Sequence, residues 1–280
     1  MADAAVNAQQ IAYWNAQAGA TWAETQERLD RQLKVLGQAA QAALALAPGE
    51  RVLDIGCGCG ATTLELAHAV GALGQVTGVD ISEPMLAVAR SRARVDSGAP
   101  VTWMQADVQG ANLGRGAFDC AYSRFGVMFF ADPAAAFANI RRAIRPEGRV
   151  AFVCWRGLSE NKWMWGPLEA AATVLPPLKR AEPGAPGPFA FADPHRLRVL
   201  LEAGGWSGIS VAAHDALIGV GGVEETLALA LKVGPLGAAL RESPELAPKV
   251  TDAVRAFLSA HENPEDIRLP AAVWIVTARL

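Results

Sequence analysis

A glycine-rich stretch at residues 51–60 is the feature that most constrains how this chain can fold. It begins with a short, mostly apolar run, too short for a helix, and continues with three glycines at alternate positions. An amphipathic run over residues 61–70 follows directly. This order predicts a strand, a tight glycine turn and a helix, the first half of a βαβ unit with a ligand at the turn. Glycines let the backbone adopt positive φ and approach a ligand closely, and the start of the helix favours an anionic group.

Three acidic side chains near predicted strand ends narrow the choice of ligand. Asp54 lies inside the end of the first strand, where a carboxylate is costly unless it meets a cation or several donors. Asp80 ends a predicted second strand and suits hydrogen bonding to ribose hydroxyls. Asp107 follows a predicted third strand. A ligand with an ammonium group, a ribose and an exocyclic amine would use all three carboxylates. The glycines alone do not decide, because they also satisfy the relaxed dinucleotide-binding fingerprint.

At these residues the sequence resembles the class I S-adenosylmethionine-dependent methyltransferases, of the small-molecule type that includes the ubiquinone/menaquinone methyltransferases. Residues 49–155 follow the order of motifs in that family, except that Glu147 replaces the middle glycine of a Pro-Gly-Gly turn. The resemblance implies an α/β, Rossmann-like fold with helices on both faces of a mostly parallel seven-stranded sheet whose last strand is antiparallel. It also implies S-adenosyl-L-methionine as cofactor and S-adenosyl-L-homocysteine as product.

Composition argues against several other classes of protein. Charged residues interrupt every long apolar run, so no segment approaches the roughly 20 residues of a membrane span. The first residues lack the basic and apolar regions of a signal peptide, and we expect a cytoplasmic protein. A net charge of −3 disfavours nucleic acid as a partner. Four cysteines in 280 residues do not form a disulfide framework. Cys57 and Cys59 occupy variable slots between the glycines, and we expect no metal site.

The chain divides into a predicted helical lid at residues 1–47 and a methyltransferase domain at 48–280 with cap insertions at about 156–192 and 221–265. In the lid we expect a short helix within residues 8–20 and a longer one over about 25–46. The first insertion is rich in aromatic residues, which favours an ordered cap over a disordered linker. The second has helical spacing and predicts a pair of helices between two closing strands.

Several predicted cofactor contacts have a structural alternative. Tyr13, Trp14 and Trp22 either close over the ligand as a lid or pack the N-terminal helices on the sheet. Met85 either packs on an adenine ring or fills the gap between helix and sheet. Asp107 either accepts a hydrogen bond from the adenine amino group or is a surface loop acid. The predicted cofactor-binding residues are Tyr13, Trp22, Asp54, Gly56, Gly58, Asp80, Ile81, Met85, Ala106, Asp107, Val108 and Ser123.

The methyl acceptor is expected at the exit of the fourth strand, because ligands of open α/β sheets bind at the carboxyl ends of the strands. Arg124 there either binds an acidic acceptor or pairs with a loop carboxylate. The loop lacks the acid or asparagine, two prolines and aromatic that mark amino-methylating enzymes of DNA and glutamine. An aromatic wall would orient the acceptor and attract the methyl-sulfonium cation. The predicted substrate-binding residues are Trp14, Arg124, Trp155 and Trp163.

The predicted function is methyl transfer to a small, aromatic or apolar acceptor. A general base is needed only if the acceptor is a hydroxyl or an acidic carbon. His195 is the least implausible base among four histidines, but a helix-surface histidine is the favoured interpretation, so no catalytic residue is assigned. The alternatives are a nicotinamide-dependent oxidoreductase and a cofactor-binding subunit without activity. The expected partner is a small-molecule acceptor, and a homodimer is a candidate assembly.

Overall fold

A seven-stranded sheet forms the centre of the computed structural model, which describes residues 2–92, 98–177, 182 and 184–280, with side chains from residue 7 onward. The strand order is β3-β2-β1-β4-β5-β7-β6. Strands β1 to β5 are parallel to one another, and β7 is antiparallel to both β5 and β6. The prediction of a mostly parallel sheet with an antiparallel last strand is therefore confirmed. The strands are β1 (Arg51–Ile55), β2 (Gln75–Asp80), β3 (Val101–Gln105), β4 (Phe118–Arg124), β5 (Ile144–Trp155), β6 (Ser207–Gly221) and β7 (Ile267–Arg279).

Helices surround the sheet, as the resemblance implies. They are α1 (Ala2–Asn15), α2 (Gln17–Leu44), α3 (Ala61–Val70), α4 (Glu83–Ser91), α5 (Pro133–Ala143), α6 (Lys162–Ala170), α7 (Pro194–Ala203), α8 (Val223–Ala230), α9 (Gly234–Glu242) and α10 (Ala247–Ser259). Short 3-10 turns at Val127–Phe129, Leu158–Glu160 and Pro244–Leu246 complete the list of regular elements in the described ranges.

The central strands form the core because they are buried on both faces. Residues 52–55 of β1 and 120–123 of β4 are all buried, as continuous apolar runs in parallel sheets usually are. Each large apolar side chain removed from water there stabilises the fold by about 1.5–3 kcal/mol. The edge strands β3 and β6 are only partly covered. The carboxyl ends of β1, β2 and β4 are therefore held by a rigid, well-packed platform.

The N-terminal helices differ from the predicted boundaries. α2 begins at Gln17 rather than near Thr25, because only Ala16 separates it from α1. Gly19 does not break the helix. A Cβ atom at this position would lie 2.0 Å from the carbonyl oxygen of Trp14 and 2.6 Å from Ser82 Oγ. The glycine thus permits close contact between the α1–α2 corner and the turn that follows β2.

The second insertion also differs from its prediction, since three α-helices rather than a pair connect β6 to β7. Gly234, at φ 68°, and Pro235 begin α9 as a helix separate from α8 and explain the additional helix. The insertions share a second apolar cluster, in which residues of α6, α9 and α10 pack against the start of β7. Residues 178–181 and 183 of the first predicted cap lie outside the described residues. The division into lid, domain and caps stays a prediction.

Every helix in the described ranges is too short or too polar to cross a lipid bilayer.

Candidate functional site

The glycine turn after β1 brings bare backbone to the carboxyl edge of the sheet. Gly56 and Gly58 have φ values of 65° and 54°, in the left-handed region that favours glycine. A Cβ atom on Gly56 would lie 2.7 Å from the Cα atom of Gly126, and one on Gly58 would lie 2.7 Å from Met85 Cε. Side chains at these positions would therefore push apart the turn and its neighbours.

Asp80, at the end of β2, lies beside this turn. Its Oδ2 atom accepts a 2.8 Å hydrogen bond from the Gly58 N–H, and its Oδ1 atom accepts another of 2.8 Å from the Ser82 N–H. Burial raises the pKa of Asp80, and the backbone donors oppose that rise. Each carboxylate oxygen has lone pairs left over, and the residue lines a cavity. Asp80 can therefore accept further hydrogen bonds from a ligand there.

Asp54 meets hydrogen-bond donors, which is one of the two environments that the sequence predicts for it. It is fully buried, and the residues that line the cavity do not include it. Its Oδ2 atom accepts hydrogen bonds of 2.8 Å from Thr62 Oγ1 and 2.6 Å from Thr63 Oγ1, in the first turn of α3. Burial raises the pKa of Asp54 to about 6, although both threonines oppose the rise. These bonds give Asp54 a supporting position behind the turn, and its contact with the cofactor stays a prediction.

Two further predicted cofactor contacts also lie outside the cavity lining. Ser123 Oγ donates a 2.7 Å hydrogen bond to the Ile55 carbonyl oxygen and accepts one of 3.2 Å from the Gly126 N–H. It therefore ties the end of β1 to the loop after β4 rather than facing a ligand. Gly58 contacts Asp80 through its N–H and is covered by Met85. Both residues thus have positioning roles, and their contacts with the cofactor stay predictions.

A single cavity of about 1090 Å³ brings most of the other predicted residues together. Its volume lies near the upper limit of pockets for a single drug-sized ligand, so it has space for a cofactor and an acceptor. The wall combines residues from strand ends, α1, α2, α6 and the start of α9. The predicted site residues that line it are Tyr13, Trp14, Trp22, Gly56, Asp80, Ile81, Met85, Ala106, Asp107, Val108, Arg124, Trp155 and Trp163.

Asp107, just past β3, is contacted by α1. Asn7 Nδ2 donates a hydrogen bond to Asp107 Oδ2, and the Gln109 N–H donates one of 3.0 Å to Oδ1. Gln109 Nε2 in turn donates to Asn7 Oδ1 at 2.5 Å. All three side chains line the cavity. Sequence reasoning missed Asn7 and Gln109, because neither belongs to a periodic pattern or a motif.

The corner between α1 and α2 is fixed to the turn after β2. Ser82 occupies the N-cap position of α4 but makes no capping bond with its side chain. Its Oγ atom donates a 2.7 Å hydrogen bond to the Trp14 carbonyl oxygen. Asn15 caps α4 instead of Ser82. Its Oδ1 atom accepts a 2.9 Å hydrogen bond from the Glu83 N–H, and its Nδ2 atom donates one of 2.9 Å to the Ile81 carbonyl oxygen. A residue of one helix thus caps another.

The aromatic residues of the N-terminal helices differ in exposure. Trp14 is buried and meets Trp22 and Phe129 edge-on, with ring centroids 5.9 and 4.9 Å away. Tyr13 is 46% exposed and lies edge-on against Trp14. Since all three N-terminal aromatics also line the cavity, packing and coverage of the cavity are not exclusive alternatives here.

A second group of aromatic rings stands at the ends of β4 and β5. Phe125 stacks on Trp155 with ring centroids 4.1 Å apart and planes 13° apart. Trp163 lies 5.2 Å from Trp155 and is tilted by 47°. All three line the cavity. Phe125 has a φ of 63°, and no sequence signal distinguished it from an ordinary strand-end residue.

Arg124 is ion-paired. Its Nη2 atom donates to Asp30 Oδ1 at 2.6 Å, and Arg92 Nη2 donates to Asp30 Oδ2 at 2.6 Å. The alternative of pairing with a carboxylate is therefore the one observed, although the carboxylate comes from α2 rather than from a loop. Arg124 still lines the cavity, where its charge faces any bound group.

No histidine lines the cavity in the described part of the chain. His195 lies in the first turn of α7, where its N–H is bound by Asp193 Oδ1 at 2.8 Å. The ionisable residues that do line the cavity are Tyr13, Asp80, Asp107, Arg124, Glu169, Lys232 and Arg241. Most of the other residues that line the cavity are apolar.

Comparison with known proteins gives related sequences and folds. The methyltransferase-domain family matches residues 52–148. Nocamycin O-methyltransferase from Saccharothrix syringae is 33% identical over 185 residues, which are 63% of this chain and 60% of that protein. The ubiquinone/menaquinone biosynthesis C-methyltransferase of Teredinibacter turnerae is 40% identical over 105 residues, 37% of this chain and 42% of that protein. The chain thus spans less than two thirds of the length of either relative.

The fold has counterparts among solved structures. The YcgJ protein from Bacillus subtilis superposes with a TM-score of 0.55 at 16% sequence identity, covering 89% of this chain and 97% of that protein. At this identity the likeness concerns the fold alone. Residues 52–148 therefore match a methyltransferase domain, and over part of its length the chain is similar to proteins named as O- and C-methyltransferases.

Proposed function

We propose that this protein transfers the methyl group of S-adenosylmethionine to a small organic acceptor of aromatic or apolar character. The proposal rests on one observation. The glycine turn, Asp80 and Asp107 all line one cavity, and the rest of its wall is largely apolar. The homology to methyltransferases supports the same reading. Fold alone would not, because one fold serves many functions.

The residues of the cavity fit this cofactor. Asp80 has lone pairs available for the two ribose hydroxyls, and Asp107 can accept from the exocyclic amine of adenine. Ile81 and Met85 provide apolar contacts for the base. Asp54 Oδ1 is buried without a partner in the described chain, and its charge behind the turn favours a cation there. When bound, the cofactor supplies a methyl group on a positively charged sulfur.

The chain itself orients the acceptor and excludes water. Trp155, Trp163 and Phe125 give the acceptor a wall at the end of β4 and β5, and Trp14 covers the cavity from α1. Holding the two reactants in line is worth a large part of the barrier for such a displacement, and closing the site strengthens the electrostatic interactions inside. There is no histidine among the described residues of the wall, so the site suits an acceptor whose nucleophilic atom ionises readily or carries a free lone pair.

The strand order argues against a nicotinamide-dependent oxidoreductase. A dinucleotide-binding enzyme of that type would finish with a second βαβαβ half, whereas β6 and β7 close this sheet as an antiparallel pair. Asp54, in the strand before the turn, would also repel cofactor phosphates. A cofactor-binding subunit without activity binds the same ligand and differs only in turnover.

Calorimetry with S-adenosylmethionine and with NAD tests the cofactor directly. We expect saturable binding of S-adenosylmethionine and none of NAD. Incubation with a panel of phenols, amines, quinones and acids then tests turnover, with S-adenosylhomocysteine release as the readout. Binding of NAD in preference would overturn the proposal, and cofactor binding without any product over a broad panel would favour the subunit.

We further infer a cytoplasmic protein that acts on a small molecule rather than on nucleic acid. All four cysteines are buried and free, as in proteins of reducing compartments, and the net charge of −3 gives little attraction to phosphates. The lid at residues 1–47 is part of the same proposal and is supported by the bond from Asn7 to Asp107. A homodimer remains a candidate assembly, which light scattering after gel filtration tests.

A further inference from the structure

Phe125 has a backbone conformation that a bulky residue rarely adopts. Its φ is 63°, whereas side chains with a Cβ atom strongly prefer negative φ. Residues held in such regions cost free energy and persist only where their surroundings determine them, which occurs most often at functional sites. Since Phe125 lines the cavity, we infer that its unusual conformation serves the function of the cavity.

The backbone on both sides of Phe125 is held in place. The Phe125 N–H donates a 3.1 Å hydrogen bond to the Val153 carbonyl oxygen on β5. At the next residue, a Cβ atom on Gly126 would lie 2.7 Å from the Ile55 carbonyl oxygen and 2.8 Å from Gly56 Cα. The chain therefore passes directly against the glycine turn. Left-handed backbone at Phe125 lets the loop make this contact while the ring stays with β5.

The ring itself forms part of an apolar wall. One face of Phe125 is covered by Trp155, with centroids 4.1 Å apart and planes nearly parallel. Phe125 is only 5% exposed and lines the cavity. The surface so formed is flat, rigid and adjacent to the turn where the cofactor is proposed to bind. The neighbouring side chain that lines the cavity, Arg124 at the end of β4, is held by Asp30.

We propose that Phe125 is a positioning residue for the methyl acceptor, and that its fixed ring selects planar, conjugated ring acceptors over saturated molecules of the same size. Aromatic rings prefer offset-stacked or edge-to-face partners, and a planar acceptor makes either contact without displacing Trp155. A puckered ring keeps fewer atoms at contact distance from a flat wall. The selection of acceptor rests on the proposed methyl transfer, but the binding preference is measurable without turnover.

The test compares binding of 2-naphthol with that of decahydro-2-naphthol, which has the same carbon skeleton and hydroxyl group but no flat ring. Affinities are measured by calorimetry with and without saturating S-adenosylhomocysteine. We expect the wild-type protein to prefer 2-naphthol by about five- to tenfold. In Phe125→Leu the preference should fall to about twofold or less, while Phe125→Tyr should keep it.

Glu147 provides a matched control, because it has the same φ of 63° on an exposed turn outside the cavity. Glu147→Gly should leave the preference for 2-naphthol unchanged. Equal preference in wild type and Phe125→Leu, a loss in Phe125→Tyr as large as in Phe125→Leu, or no binding of 2-naphthol would each overturn the inference. Failure of S-adenosylhomocysteine to bind would instead count against the proposed function, since the naphthol comparison is also made in its absence.

Discussion

Asn7 of α1 donates a hydrogen bond to the carboxylate of Asp107, which lies 100 positions further along the chain, just past β3. The N-terminal helix thereby reaches the acid that suits an adenine amino group. The other end of α1 is fixed more firmly, since Asn15 makes two hydrogen bonds to the segment 81–83. α1 is thus anchored at its C-terminal end and latched to the cavity wall near its start.

Removal of the hydrogen bond from Asn7 to Asp107 should strengthen the binding of S-adenosylmethionine. In the unliganded protein, Asn7 occupies an acceptor that the adenine amino group would otherwise use, so the cofactor must compete for it. We expect Asn7→Ala to bind S-adenosylmethionine about three- to tenfold more tightly, in keeping with the net worth of one hydrogen bond. Calorimetry gives the dissociation constant. Gln9→Ala, an exposed position on the same helix, is the control and should not change it. Unchanged or weaker binding by Asn7→Ala would contradict a competing latch.

Substitution of Asp80 should weaken the binding of S-adenosylmethionine. Its carboxylate accepts from the Gly58 and Ser82 N–H groups and keeps lone pairs for the ligand. In Asp80→Asn one oxygen becomes an amide NH2 group, which cannot accept from a backbone donor. We expect S-adenosylmethionine to bind roughly 10- to 100-fold more weakly, since hydrogen bonds to charged groups are worth about 1.5–3 kcal/mol. Asp266→Asn, which alters a surface pair with Arg268, should bind normally. An affinity within twofold or so of wild type would exclude Asp80 from the ligand contacts.

Asp54 should make the stability of the protein depend on pH. Burial raises its pKa from 3.8 to about 6, so between these values the folded state binds more protons than the unfolded state. The free energy of unfolding therefore falls as pH rises through this window, by an amount on the order of 2–3 kcal/mol for this group. Asp54→Asn keeps an acceptor for Thr62 and Thr63 without the charge.

The variant should thus lose less stability than wild type between about pH 4 and pH 6. Urea unfolding at several pH values measures the difference between the two proteins, which removes the contribution of other carboxylates such as Asp80. Parallel pH profiles for wild type and Asp54→Asn would mean that the carboxylate is not strained by its burial.

Glu147→Gly should stabilise the fold. Glu147 stands where the resembling family has a glycine, and its φ of 63° is unfavourable for any residue with a Cβ atom. Relief of that strain is worth about 1 kcal/mol, or roughly 2 °C in melting temperature for a chain of this size. Glu147→Gln retains the strain and should melt like wild type, which separates the backbone effect from the loss of charge. A melting temperature of Glu147→Gly at or below that of Glu147→Gln would refute the argument.

Local patterns predicted much of the fold, whereas contacts between distant segments set the roles of the site residues. The strand, glycine turn and helix at 51–70 are found as predicted, because apolar runs and glycines fix them locally. Ser82 shows the limit of such patterns. It stands at the N-cap of α4, where serine commonly caps a helix, but its hydroxyl donates to the carbonyl oxygen of Trp14, 68 positions away. Asp54 likewise has the predicted strand position but turns to the threonines of α3.

The sequence did not predict two features of the site: the backbone conformation of Phe125 and the ion pair between Arg124 and Asp30. Nothing in the residues around Phe125 signals a left-handed φ, which follows from the contact between Gly126 and Gly56. The position of Arg124 at the end of β4 places it at the cleft. Its partner Asp30, however, belongs to a helix 94 residues earlier in the chain. The start of α2 was misplaced because Gly19 serves close packing rather than helix termination.

The most direct test of the central claim is a crystal structure of the protein grown with S-adenosylhomocysteine. We predict the nucleoside against the glycine turn, with both ribose hydroxyls bonded to Asp80 and the adenine amino group bonded to Asp107 in place of Asn7. A nucleoside bound elsewhere, or an Asp80 carboxylate that makes no contact with the sugar, would contradict it.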